Sequence, residues 1–270
     1  MSNLFAETYT LTFGDCAENH ARMQKIGELA EKGLNLEELN KAKAFFESKG
    51  AECVIYPLKN LVEEEINCEG EMVDFDEVDD AYLLIVRKGI NYLGNGIEAD
   101  KVYREQKILK KDEKAFMYGR VVNKKARHNL CFSDFNQEPD YAAGKGTVYN
   151  FSELSMLRKI REKIYEIVGS DKVKDLQCEG NYYYDIDKTY IGWHGDSERK
   201  IVIAVRLGAD FPIFYQWYYK GEKLGQLFEE NLGHGDIYMM SEKAVGNDWK
   251  KKNIYTLRHA AGFEKNIKNM

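Results

Sequence analysis

The sequence has little proline, with three residues in 270, which argues against long disordered tails. It has no apolar run long enough to span a bilayer as a helix, so no membrane partner is expected. Residues Met1 to Glu7 lack the basic start and apolar core of a signal peptide. An intracellular protein, cytoplasmic or nuclear and not secreted, is therefore expected. The five cysteines (Cys16, Cys53, Cys68, Cys131 and Cys178) are odd in number, scattered, and form no Cys-x-x-Cys. That pattern excludes a disulfide framework or a cysteine zinc site and reads as reduced thiols. There is no internal repeat and no low-complexity segment.

Net positive charge is also missing. The formal charge is −6, which at first sight excludes a nucleic-acid partner. Its distribution changes that conclusion. Residues 63–80 carry ten acids and no base, and without them the remainder stands at +4. The run reads as a solvated loop, with a partner-binding or autoinhibitory strip as the alternative.

The hydrophobic pattern gives an α+β reading. Glu7–Phe13 alternates, with Tyr9, Leu11 and Phe13 on one face of a strand. In residues 19–31, Met23, Ile26, Leu29 and Ala30 fall at helical spacing and predict a helix. Cys16 and His20 sit in the polar turn that would lead into and cap it. Asn35 and Glu38 form a variant capping box for a second helix through Phe45 and Phe46, ending at Gly50. Cys53–Tyr56 and Ala81–Val86 read as short strands. Together these predict a small α/β domain over residues 1–105. Further on, Leu154, Leu157, Ile160, Ile164 and Ile167 mark an amphipathic helix that would pack outside a sheet. From Leu176 strand follows strand: 201–208, 211–219, 235–240 and 253–259. Short strands parted by glycine turns suggest a sandwich or jelly roll over residues 106–270.

The chain is organised around residues 181–198, which hold His194-Gly-Asp196 late in a strand-like run. Residues two apart in a strand share a face. An imidazole beside a carboxylate supplies two members of the 2-His-1-carboxylate facial triad of non-haem Fe(II) oxygenases. Upstream, residues 107–128 interleave lysine and arginine with aromatic side chains. That composition suits phosphate contact with base stacking, although an ordinary lysine-rich surface has the same composition.

From Tyr118 onward the chain resembles the AlkB family of Fe(II)/2-oxoglutarate dioxygenases. Tyr118-Gly-Arg, Arg127 and Phe132-Ser-Asp134 resemble the family's substrate lid. Asn181-x-Tyr183 resembles its 2-oxoglutarate contact, and Ile191-Gly-Trp-His194-Gly-Asp196-Ser-Glu198 its metal block. Val205-Arg-Leu-Gly208 and Gly235–Met240 resemble two following strands. The resemblance implies a double-stranded β-helix (jelly-roll) core with flanking helices, Fe(II), 2-oxoglutarate and O₂. It also implies oxidative demethylation or hydroxylation of a nucleobase in DNA or RNA. Asn181 and Tyr183 would contact 2-oxoglutarate; Tyr118, Arg127 and Phe132 would contact the nucleic-acid substrate.

The pattern departs from the family after Trp249. Three lysines stand where a Trp-x-His would place the distal ligand. The remaining downstream histidine is His259, adjacent to Arg258, and neighbours in a regular strand face opposite ways. Two accounts follow. In one, His259 completes the triad and another cation holds 2-oxoglutarate, with Arg206 as candidate and Lys265 and Lys268 behind it. In the other, Arg258 keeps the family's carboxylate-binding role and the triad lacks its distal histidine, unless His234 supplies it. A 2-oxoglutarate-dependent hydroxylase of a protein or small molecule, or a non-catalytic binding module, are the alternative functions.

Overall fold

The computed structural model describes residues 5–267. The first strand, β1 (Thr8–Gly14), leads into a small hairpin, β2 (Cys16–Glu18) and β3 (Lys25–Gly27). Helix α1 (Leu36–Glu47) begins at the expected box: Asn35 Oδ1 accepts the Glu38 N–H, and the Glu38 carboxylate accepts the Asn35 N–H, both at 2.9 Å. Then come β4 (Cys53–Pro57), β5 (Tyr82–Val86) and helix α2 (Ala99–Lys107). A two-stranded ribbon follows, β6 (Lys114–Met117) with β7 (Arg120–Asn123), before β8 (His128–Ser133) and β9 (Val148–Asn150). Helix α3 (Ser155–Val168) precedes β10 (Gln177–Tyr183), β11 (Ile191–His194), β12 (Val202–Gly208) and β13 (Phe211–Tyr219). The chain continues through β14 (Glu222–Leu232), β15 (Ile237–Met240), the short α4 (Glu242–Val245), β16 (Thr256–Ala261) and the short α5 (Glu264–Ile267).

Two sheets dominate this mixed α+β protein. An eight-stranded sheet runs β4-β5-β15-β12-β1-β10-β8-β9, and a four-stranded sheet runs β11-β16-β13-β14. The larger sheet crosses the boundary drawn at 105/106. Strands β1, β4 and β5 precede that point, yet β1 lies between β10 and β12, and β5 pairs with β15.

Strand alternation sorts the side chains between two layers. On the outer face of the large sheet, Leu11, Phe13, Ile203 and Val205 pack against α1 through Leu39 and Phe46, and against α3 through Leu157 and Ile160. Helix α3 therefore covers the sheet with the apolar stripe that its spacing marks. On the inner face, Val202, Ala204 and Tyr238 meet Tyr215, Trp217 and Leu257 of the small sheet. Burial of this kind contributes about 25 cal/mol per Å² of apolar area, so the facing layers hold the sheets together. Toward one end of this inner space the apolar contacts stop and polar side chains take over.

Residues 19–31 do not form the expected helix. They make a turn, β3 and a loop: Met23 and Ile26 are buried, but Leu29 is exposed. Gly27 has φ +89°, outside the helical region, and a Cβ there would lie 2.2 Å from the Asp15 carbonyl oxygen. The Asp15 carboxylate accepts N–H groups from Ala30, Lys200 and Ile201, which ties this loop to the chain before β12. The acidic run at 63–80 is largely exposed, anchored by buried Val73 and Val78. Among the described residues, no helix is long and apolar enough to cross a membrane.

Candidate metal centre and its cavity

His194 ends β11 and pairs directly with His259 on β16, across a bulge in β11. Their ring centroids are 4.4 Å apart. Asp196 follows in a loop held by two bonds: its N–H donates to Val245 O, and its carbonyl accepts from Asn247 Nδ2, both at 3.0 Å. Gly195 lies so close to the Gly246 carbonyl that a Cβ would sit 2.1 Å from that oxygen. The tight turn brings Asp196 Oδ1 to 3.5 Å from His194 Nε2 and 3.6 Å from His259 Nε2. One donor atom from each of the three residues lies within 4.8 Å of the others.

These residues fit a divalent ion. Metal–ligand bonds of about 2.1 Å place neighbouring octahedral donors about 3 Å apart, so a small contraction would close the set. His194 Nδ1–H donates to Gly192 O at 2.8 Å, which fixes the tautomer and leaves Nε2 as the lone-pair donor. Burial, reinforced by the neighbouring His194, pushes the His259 imidazole below its ordinary value and favours its neutral, ligating form. Burial alone would raise the Asp196 carboxyl. The Arg199 guanidinium and the two histidines outweigh it and hold the group well below the usual carboxylate range. Among the described residues, His259 Nδ1 is buried without a hydrogen-bond partner.

Behind Asp196 stands a buried ionic cluster. Arg199 is 2% exposed and bonds Glu179, Glu198 (2.9 Å) and Asp196 (3.4 Å). Three carboxylates and one guanidinium carry a net charge of −2, which a divalent cation would neutralise. Glu198 is pushed up by burial and then by the Asp196 charge. Glu18, across the cavity from β2, is raised to about 7 by burial and by Glu198.

The triad lines a cavity of about 420 Å³ between the sheets. Alternation sends Thr10 and Thr12 of β1, Asn181 and Tyr183 of β10, and Arg206 of β12 into it. Asn181 Oδ1 accepts from Arg127 Nε (2.6 Å) and from Asn129 Nδ2, while its Nδ2 donates to Glu179 (3.0 Å). Arg127 lines the cavity as well. Tyr183 is buried with its ring against Phe211 at 4.7 Å.

Other expected residues lie elsewhere. Arg258 of β16 pairs with Gln216 of β13 and faces away from the triad, its guanidinium 3.8 Å from the Tyr218 ring centroid. It lines a separate open cleft beside Trp193 and does not touch the inner cavity. Phe132, expected to contact the substrate, does not line the cavity: β8 turns it outward, fully buried against the helices with Phe151. Tyr118 is 87% exposed at the tip of the β6–β7 ribbon, where it and Gly119 both have positive φ. His234 accepts the Gly208 N–H at 2.9 Å and stacks on Phe5, a structural role. Lys265 pairs with Asp187 away from the cavity, and Lys268 lies outside the described residues.

Sequence reasoning missed Thr10, Glu18, Glu179 and Arg199. Glu179 was legible in part, because it shares a strand face with Asn181. The contribution of residues 10–25 was not, because it depends on β1 pairing with strands some two hundred positions away.

No family model matches the chain. A comparison with curated proteins finds the uncharacterized protein R156 of Acanthamoeba polyphaga mimivirus, 46% identical over 262 residues, covering 97% of this chain and 98% of the relative. The chain belongs to the same protein family as that mimivirus protein.

Proposed function

We propose that the protein is an AlkB-like Fe(II)- and 2-oxoglutarate-dependent dioxygenase, and that its two facing sheets are a double-stranded β-helix. One observation carries the reading. His194, Asp196 and His259, from two strands and a loop, bring their donor atoms together at the wall of a polar cavity. Two imidazoles and one carboxylate on one side of an ion leave the other side open. Fe(II) with 2-oxoglutarate and O₂ would supply the oxidant that attacks a substrate C–H bond.

The chain's own residues prepare that chemistry. Gly192 O holds the His194 ring, and Arg199 keeps Asp196 ionised. The surrounding sheets bury His259 and most of Asp196, which strengthens the charge interactions between them. Asn181 and Tyr183 face the co-substrate space. Arg127 bonds Asn181 and also lines the outer cleft, so it stands where cavity and surface meet.

The substrate we favour is a nucleobase carrying an oxidisable C–H group, released by demethylation or hydroxylated in place. A base must leave its stack to reach such a centre. Tyr118 at the ribbon tip, with Lys114 and Arg120 exposed on the same ribbon, suits stacking and phosphate contact.

The test has two stages. Protein mixed anaerobically with Fe(II) and 2-oxoglutarate should develop a weak visible charge-transfer band, and failure of the band in wild type rejects the oxygenase reading. Protein that passes is then given methylated oligonucleotides. Formaldehyde release together with salt-sensitive binding supports the nucleobase substrate. A loaded enzyme that consumes 2-oxoglutarate only with a protein or small molecule rejects it.

A further inference from the structure

Among the described residues, the outer face of the small sheet is covered only in part. At one end Ile267 of α5 packs with Phe214 and Ala260. Beyond that cover each strand gives one large side chain to an open cleft of about 860 Å³: Trp193 from β11, Arg258 from β16, Tyr218 from β13 and Lys223 from β14. Alternation places them there, because His194 and His259 take the inward positions beside Trp193 and Arg258. The Arg258 guanidinium lies over two rings, 3.8 Å from the Tyr218 centroid and 5.2 Å from that of Trp249. Its Nε is buried without an acceptor, and among the described residues no carboxylate pairs with it. Lys223 stands exposed 5.9 Å from the Trp193 centroid, and Lys250 stands exposed 5.3 Å from that of Trp249. With Arg127, the cleft holds three cations against one carboxylate, Glu222, on a chain whose total charge is −6.

We propose that this outer cleft binds the sugar-phosphate backbone of a single-stranded nucleic acid, with Arg258 and Lys223 each holding a phosphate. Resting on Tyr218, the planar guanidinium is already ordered, so its N–H fork meets a phosphate with little further loss of side-chain freedom. Unpaired cations beside aromatic rings suit backbone contact with stacking. Two features favour a strand over a small anion. The cleft and the metal cavity share Arg127, Ile191 and His194, so a chain can lie in one while a base it carries enters the other. Trp249 and Lys250 line the cavity while Trp249 also touches Arg258, which continues the cationic and aromatic surface from cleft to cavity. A duplex keeps its bases stacked away from such a cavity. The placing of a base at the metal rests on the oxygenase proposal. The backbone contact rests on the outer face alone.

The experiment uses full-length protein in chelator and a fluorescent, unmodified single-stranded oligonucleotide of about 12 nucleotides, with anisotropy followed across a salt series. Wild type should bind, its log affinity falling linearly with log salt. Arg258→Gln and Lys223→Gln should each weaken binding several-fold and lower the slope by about 0.7, the loss of one phosphate contact on a single strand. Lys223 is exposed, so its variant tests the cleft without risk to the fold. Arg258→Lys should keep the slope yet bind more weakly than wild type, since the charge stays and the stacked plane goes. Unchanged affinity and slope in the double Arg258→Gln, Lys223→Gln variant overturn the proposal. Equal binding of the matching duplex, a mononucleotide that competes as well as the oligonucleotide, or binding of phosphatidylserine vesicles in place of the oligonucleotide overturns the strand as occupant. The Fe(II) band is scored separately. Strand binding that depends on Arg258 and Lys223, without a band, removes the oxygenase reading and leaves the cleft; a band with strand binding indifferent to both residues does the reverse.

Discussion

Replacing Arg199 by methionine should cost the protein much of its stability. The substitution keeps side-chain bulk but leaves Glu179, Glu198 and Asp196 facing one another with side chains only 7%, 19% and 13% exposed. Removing one partner of a buried ion pair costs roughly 3–5 kcal/mol. For a chain of this size that is on the order of 10 °C in melting temperature. The assay is thermal and urea denaturation in chelator at pH 8 and again at pH 5. Without the guanidinium, the buried carboxylates hold protons that the unfolded chain releases above its ordinary carboxylate values, so stability falls as pH rises. The deficit relative to wild type should therefore be larger at pH 8 than at pH 5. Since one divalent ion offsets two of the remaining charges, added Co(II) should recover part of the loss. A variant within about 1 kcal/mol of wild type at pH 8 would refute the view that this cluster is desolvated and held by Arg199.

Three further outcomes follow from the same structure. Glu18, raised to about 7 against 4.5 for a free glutamate, keeps its proton in the fold while the unfolded chain loses it. Stability thus falls between pH 4.5 and 7, and at pH 8 Glu18→Gln should be more stable than wild type by at most about 3 kcal/mol, a gain that vanishes near pH 4; equal pH profiles in urea titrations would contradict it. Gly195→Ala forces a Cβ against the Gly246 backbone and should cost about 1–3 kcal/mol while weakening metal binding at least tenfold, as read by equilibrium dialysis. Phe132→Ala should cost about 3–5 kcal/mol yet leave 2-oxoglutarate affinity unchanged in calorimetry, since the ring packs on the helix side of the sheet.

The parts of the fold that sequence revealed are those with local causes. The Asn35–Glu38 box and the Leu157–Ile167 stripe act within one helix, and the structure has both. Alternation in Tyr9-x-Leu11-x-Phe13 marked one apolar face of the strand, and the three share one core cluster, but the value of the opposite face, Thr10 and Thr12, depended on partners distant in sequence. Residues 19–31 misled because a turn can bury Met23 and Ile26 at helical spacing, and the positive φ of Gly27 is not written in periodicity. Strand β14 carries too many charges to read as a strand; it is an edge, paired on one side with β13, and can remain polar. At the site, the neighbour rule for Arg258 and His259 was legible, whereas the choice between them was not. The pairing of Tyr215 with His259 settles the orientation.

The central claim is that His194, Asp196 and His259 jointly hold one divalent ion. Titration of the metal-free protein with Co(II), followed by absorption and by calorimetry, addresses it most directly. Wild type and Arg258→Ala should each take up one ion per chain, with His259→Ala losing that site. One tight ion per chain in His259→Ala, with wild-type spectra, would contradict the account.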